Sequence, residues 1–210
     1  RPVDSDEAFA MFEADLYKRM DGTVTGLSWP MEWPSLEKTM GPIEPGTLTV
    51  VGARTSVGKT VFAMQLLRSL AADGKSILYV TKELTVERII RRHLCSFGAS
   101  GERLRFGKPT NEDFLAIDAY QRAAKDWRVD YDHKSSSVQD VRDKLTGRQY
   151  DIIFIDYLQR LGYNAENEYG SLTNMVNDIQ SLTLETNVPV MLLSQLRRAQ
   201  SGKEHEEPHL

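Results

Sequence analysis

The stretch LTVVGARTSVGKTVFAMQLL, residues 48–67, constrains this chain more than any other. An apolar run suited to a strand leads into a loop of small and polar residues, and the loop opens a segment with helical apolar spacing. The loop, residues 53–60, consists of Ala53, Arg54, Thr55, Ser56, Val57, Gly58, Lys59 and Thr60. Phosphate-binding loops of the form G-x-x-x-x-G-K-[ST] carry glycine at the first position, where this chain has Ala53, and Gly52 comes one residue too early. Alanine is a mild departure, because the position needs a small side chain. Gly58 lets the backbone approach an anion, and the N–H groups of the loop and helix start point at it. Lys59 then sets a positive charge on the β- and γ-phosphates, and the Thr60 hydroxyl serves as a Mg²⁺ ligand. The segment thus reads as a site for ATP and Mg²⁺, against the plainer alternative of a glycine turn before an ordinary helix. Phe62, Met64, Leu66, Leu67 and Leu70 read as core residues of that helix.

Beyond the loop, short apolar runs alternate with longer helical patterns. The predicted strands are residues 47–51, 76–81, 127–131, 151–156 and 188–194. The predicted helices lie near 59–72, 86–97, 111–125, 138–145 and 172–186. The strand runs are continuously apolar, as in parallel strands covered on both faces. Repeated β–α alternation indicates a doubly wound α/β domain, whose ligands bind beyond the carboxyl ends of the strands. The 210 residues suffice for one such domain with an arm. No apolar run is long enough to span a bilayer. The single cysteine, Cys95, excludes an internal disulfide and suits a reducing compartment, so the cytoplasm is the default. A net charge of −4 offers no overall basic footprint for nucleic acid, although a ring needs only a basic inner surface. The chain starts at Arg1 without Met and stops at Leu210 in a polar stretch, and is read as a fragment of something longer.

The first forty-five residues differ in kind. Residues 5–20 form an amphipathic pattern, with Ser5 or Asp4 as N-cap and Phe9, Phe12, Leu16 and Met20 on one stripe. That stripe must be buried on its own domain or on a neighbour. A connection rich in Gly and Pro follows over residues 21–45.

Three further residues complete a hydrolytic set. Asp156 closes the apolar run IIFI, so its carboxylate emerges at a strand's carboxyl end, where it suits a metal; a strand-capping Asp is the alternative. Glu83 ends the strand after the phosphate-loop helix and faces the same crevice, placed to orient or deprotonate an attacking water. Gln195 follows VPVMLLS and could sense the γ-phosphate. Each of these two reads equally as an ordinary polar residue at a strand end.

The order GARTSVGKT, TKEL, IIFIDYLQ, NVPVMLLSQLRR resembles the ATPase domain of replicative DNA helicases of the DnaB family, within the RecA-like class. The similarity runs from about Gly26 to Arg198, and alanine is common at the first loop position in that family. It implies a RecA-like P-loop ATPase domain over residues 46–210, C-terminally incomplete, with a mostly parallel central sheet. Residues 1–45 then form an N-terminal linker helix and lead-in segment. It implies that Lys59 and Thr60 bind phosphate and Mg²⁺, that Asp156 supports the metal, that Glu83 activates water and that Gln195 couples the γ-phosphate to DNA-facing loops. Lys82 departs from the family's apolar residue and could pair with Glu83, lowering its basicity.

The resemblance also implies a homo-oligomer, a hexameric ring with sites between subunits and the linker helix docked on the next subunit. Single-stranded DNA would touch loops at residues 159–170 and 197–203, through Arg160, Arg197, Arg198 and Lys203, with Tyr163 and Tyr169 adding aromatic surface. As charge runs alone, both loops read more readily as solvated ones. Primase and a helicase loader are further expected partners, and the setting is the cytoplasm, at the nucleoid or in a host cell. His205 and His209 lack the neighbours a metal site needs. Two rival functions remain: a RecA-like recombinase or signalling ATPase, and an ATP-binding assembly module with weak hydrolysis.

Overall fold

Runs such as ILYV and IIFI can be buried on both faces only in the interior of a helix-covered sheet. The computed structural model, which describes residues 2–22, 26–156 and 168–196, places them there. Five strands, β1 (Leu48–Ala53), β2 (Ser76–Thr81), β3 (Arg128–Asp132), β4 (Ile152–Asp156) and β5 (Val190–Gln195), form one sheet in the order β1-β5-β4-β2-β3. Every pairing is parallel. Strands β2 and β4 are buried along their whole length, whereas β1 and β3, at the two edges, are only partly so.

The helices are α1 (Ser5–Met20), α2 (Pro34–Met40), α3 (Lys59–Ala72), α4 (Val86–Ser96), α5 (Gly101–Arg105), α6 (Asn111–Ala124), α7 (Val138–Leu145) and α8 (Glu168–Thr186). The chain divides into two units, Arg1–Glu44 and Pro45–Leu210. Helix α2 corrects the expectation of a purely turn-rich connection. Its Pro34 occupies the first helical position, where a missing N–H costs nothing because that group has no partner in the helix anyway. Helix α8 starts four residues before the predicted 172, so part of the expected loop at 159–170 is helical; one internal glycine, Gly170, costs only about 1 kcal/mol relative to alanine.

In the first unit, Asp4 is the N-cap of α1, accepting from the Asp6 and Glu7 N–H groups. No α1 side chain is buried, and Phe9, Phe12, Leu16 and Met20 are all exposed. Leu27 and Ile43 pair as an antiparallel bridge. A Cβ on Gly26 would lie 2.8 Å from the Ile43 carbonyl oxygen, so this approach requires glycine.

In the second unit, one face of the sheet packs Leu78, Val80, Ile153, Ile155 and Leu192 against Val141 of α7 and Ile179 and Leu182 of α8. Each such aliphatic side chain contributes about 1.5–3 kcal/mol by leaving water. The α4–α6 layer is pinned by Asp113, itself buried. Its carboxylate accepts from the Arg103 guanidinium, from the Ser100 and Thr110 backbone N–H groups and from the Thr110 hydroxyl. The Arg103 charge holds this carboxyl well below the usual carboxylate range.

Candidate active site

Because all strands run in parallel, their carboxyl ends share one edge, and register decides which residues meet there. Ala53 lies opposite Gln195, Asp156 opposite Thr81 and Leu193. The carboxyl ends of β1, β5, β4 and β2 therefore bring the loop 53–60, Gln195, Asp156 and Glu83 to the same side of the sheet.

The loop leaves β1 through two left-handed residues, Ser56 (φ 66°) and Gly58 (φ 111°). At Gly58, which caps α3, any Cβ would be strained by the backbone alone. Helices α1, α2, α4, α5, α6 and α7 each carry an acidic residue in the first turn, which complements the positive end of the helix dipole. Helix α3 carries none, so its N–H groups and dipole are not satisfied by its own side chains and suit an external anion. The Lys59 ammonium donates to the Ala53 carbonyl at 3.1 Å, across the loop. Gln195 reaches the same loop: its amide donates to the Thr55 hydroxyl at 2.7 Å, and the next backbone N–H, of Leu196, donates to Ala53 at 3.1 Å.

Asp156 is 1% exposed. Its Oδ2 accepts from the Thr60 hydroxyl at 2.9 Å and from the Tyr79 hydroxyl at 2.8 Å, while Oδ1 is buried with no hydrogen-bond partner. A buried carboxylate oxygen without a donor calls for positive charge. The donor set here, a carboxylate and a hydroxyl, is the hard-oxygen chemistry that suits Mg²⁺, which takes one or two protein oxygens and completes its shell with water and phosphate. The residues fit the ion. Among the described residues no cluster of three His, Cys, Asp or Glu side chains offers a competing metal site.

Glu83 is exposed just beyond β2. Its turn is fixed on both sides: the Thr81 hydroxyl accepts from the Leu84 N–H and donates to the Leu84 carbonyl, and the Lys82 N–H donates to the Asp156 carbonyl at 2.9 Å. Lys82 does not pair with Glu83 as its position suggested. Its ammonium donates to the His133 and Lys134 carbonyls at 3.3 and 3.1 Å, where the chain leaving β3 presents two acceptors.

The DNA-facing candidates Arg160, Arg197, Arg198 and Lys203 lie outside the described residues, as do Tyr163, His205 and His209. Sequence reasoning missed Tyr79. Burial and the neighbouring Asp156 charge push its phenol well above the usual value, so it stays protonated and donates. Also unmarked was a buried aromatic group behind β2 and β3. His93 there meets the Tyr131 hydroxyl at 3.1 Å and stacks on Tyr120, and burial, with Arg68 near, pushes it down to about 4. No helix among the described residues is long and apolar enough to cross a membrane.

Residues 29–210 match the family described as the DnaB-like helicase C terminal domain. The chain is 28% identical over 204 residues to the replicative DNA helicase DnaB of Geobacillus stearothermophilus, covering 92% of this chain and 44% of that protein. It is 27% identical over 197 residues to the replicative DNA helicase DnaC of Bacillus subtilis, covering 89% of this chain and 43% of that one. It thus spans less than half the length of these relatives. A DnaB-like replicative helicase solved in a study of its interactions with primase has the same fold (TM-score 0.75, 19% identity, 94% of this chain and 49% of that one). So does a solved ATPase domain (TM-score 0.77, 20% identity, 94% and 73%). With a parallel sheet, a left-handed glycine loop opening α3 and the family match over most of its length, this chain belongs to the DnaB-like helicase C-terminal domain family.

Proposed function

We propose that the chain is the ATP-hydrolysing motor domain of a replicative DNA helicase, with residues 1–45 as a linker segment and residues 46–210 as part of the motor. The observation that carries this reading is the meeting of Thr60 and Asp156, ninety-six residues apart, across the mouth of the phosphate loop. The loop N–H groups and Lys59 bind the triphosphate. Thr60 and Asp156 would hold Mg²⁺, which would supply positive charge to the phosphates. Glu83 accepts a proton from water as the water oxygen attacks the γ-phosphorus and ADP departs. Gln195, tied to Thr55, links the state of the loop to the segment after β5, where Arg197, Arg198 and Lys203 would contact single-stranded DNA together with Arg160. The turning of Lys82 toward backbone carbonyls leaves Glu83 free of the pairing that a weakly hydrolysing assembly module would use.

The unit of function is a ring of copies, hexameric as the family resemblance implies. The exposed Phe9–Phe12–Leu16–Met20 stripe of α1 supports a role as the bridge to the next copy. Primase is a candidate partner, since a structural relative was solved in a study of its interactions with primase; a loader is another.

The decisive experiment measures strand separation on forked DNA with the full-length protein. Expected are ATP-dependent unwinding and its loss in Lys59→Ala. Hydrolysis without separation would remove the helicase assignment and leave a recombinase or signalling ATPase. Deleting residues 5–20 should reduce hexamer formation in sedimentation while melting stays unchanged; undiminished assembly refutes the bridge.

A further inference from the structure

We propose that Tyr79 is a positioning residue for the metal-supporting carboxylate of Asp156, and so sets how strongly the metal ion contributes to nucleotide binding. The proposal rests on the reading of Asp156 and Thr60 as the metal site.

The placement follows from strand register. Tyr79 stands opposite Phe154, and Thr81 opposite Asp156. Residues two apart share a face of the sheet, so Tyr79 and Asp156 are diagonal neighbours, a separation that aromatic side chains can bridge. The Tyr79 ring is fully buried and held on two sides, by Phe154 (centroids 5.9 Å apart, 26° between planes) and Tyr131 (6.1 Å, 56°). It has no room to turn away, and its hydroxyl ends 2.8 Å from Asp156 Oδ2.

An aspartate carboxylate turns easily about its last torsion, whose preference is broad and two-fold. Two donors on one oxygen fix it. With Thr60 and Tyr79 both on Oδ2, Oδ1 is the oxygen left for other work. Thr60 stands in the first turn of α3, at the end of the loop, whereas Tyr79 sits on an interior strand buried along its whole length. The tyrosine thus ties the carboxylate to the sheet itself. Its strand also carries the chain onward to Glu83, so one rigid element orients the metal carboxylate and delivers the water-activating group.

The test compares the full-length wild type with Tyr79→Phe, Tyr131→Phe and Asp156→Asn. Affinity for a fluorescent ATP analogue is measured in EDTA and in Mg²⁺, and the ratio gives the gain due to the metal. Tyr79→Phe keeps the ring and its packing and removes one oxygen. It should leave the EDTA affinity within about twofold and cut the Mg²⁺ gain roughly tenfold, the scale of one lost bond to a charged acceptor. Tyr131→Phe, which removes a part-buried hydroxyl from the same cluster without touching Asp156, should leave the gain intact. An undiminished gain in Tyr79→Phe overturns the proposal, as does an equal fall in both affinities or a protein that no longer folds, since either marks a structural role. If Asp156→Asn also keeps the full gain, the metal-site reading fails with it. If Asp156→Asn loses the gain and Tyr79→Phe does not, only the proposal fails.

Discussion

The starts of α3 and α6 are built from similar parts and used in opposite ways. Helix α6 opens on Thr110 and fills its own first turn with Asp113, a buried carboxylate that receives five hydrogen bonds from Ser100, Arg103 and Thr110. Helix α3 opens on Gly58, with no capping side chain and no acid in its first turn, beside a buried Asp156 that has one oxygen unpartnered. One helix start spends its polar groups on holding the fold together. The other leaves them unmet, as the proposed nucleotide and metal site requires. Marginal stability makes the second arrangement costly, since unmet polar groups are worth a few kcal/mol each.

Crossing substitutions would break the comparison. The largest effect is expected at the open end: Glu83→Gln should lower ATP turnover about a thousandfold, the range for loss of a general base, while nucleotide affinity stays within a few-fold. Equal turnover in the two proteins would remove Glu83 from the chemistry. At the closed end, Asp113→Ala strands the Arg103 guanidinium and two backbone donors. Melting temperature should fall by roughly 5 °C or more, with nucleotide affinity unchanged in the surviving folded fraction. A variant that melts normally yet binds nucleotide poorly would mean that the α4–α6 layer belongs to the site.

A further effect, of similar size, comes from pH. His93 titrates at about 4 in the folded protein against an ordinary 6.5, because burial disfavours its charged form. The unfolded chain therefore takes up a proton at higher pH than the native one. Stability from neutral His93 is complete above pH 6.5 and declines as pH falls toward 4, by about 3 kcal/mol at most. Asp113, held below the usual range, keeps its contribution through that window. Denaturant titrations at pH 7 and pH 4.5 should show the loss in wild type and a much smaller one in His93→Phe; parallel losses would assign it elsewhere.

The residues of the open end could be read from the sequence because each combines a chemical type with a position in a pattern. Gly58, Lys59 and Thr60 sit between a strand and a helix, and Asp156 ends a run of apolar residues. Helix α3 and strand β2 span the predicted residues because Gly58 and the Asp73–Gly74 turn delimit the first, and Ser76 and the Thr81 turn the second. The closed end was not legible in the same way. Asp113 and His93 are polar types in helices with polar neighbours, and only tertiary packing makes them buried. A trace existed for His93, four residues after Ile89 on the same face of α4, and both are wholly buried. Helix α5 has five residues, too few for a period to show. In ILYVT, Tyr79 reads as one more apolar strand residue, since its oxygen matters only beside Asp156, which arrives from a strand distant in sequence.

The parallel register of the sheet sets a tolerance on heredity as well as on geometry. Loops at this edge can lengthen or shorten without disturbing what meets across β2 and β4. A single-residue deletion inside β2 cannot be absorbed in that way. It would carry Tyr79 to the opposite face of the sheet, away from Asp156, and change the side from which the chain departs toward Glu83. Length variation between related chains should therefore avoid residues 76–84, where one step of chain exchanges a working edge for a buried polar fault.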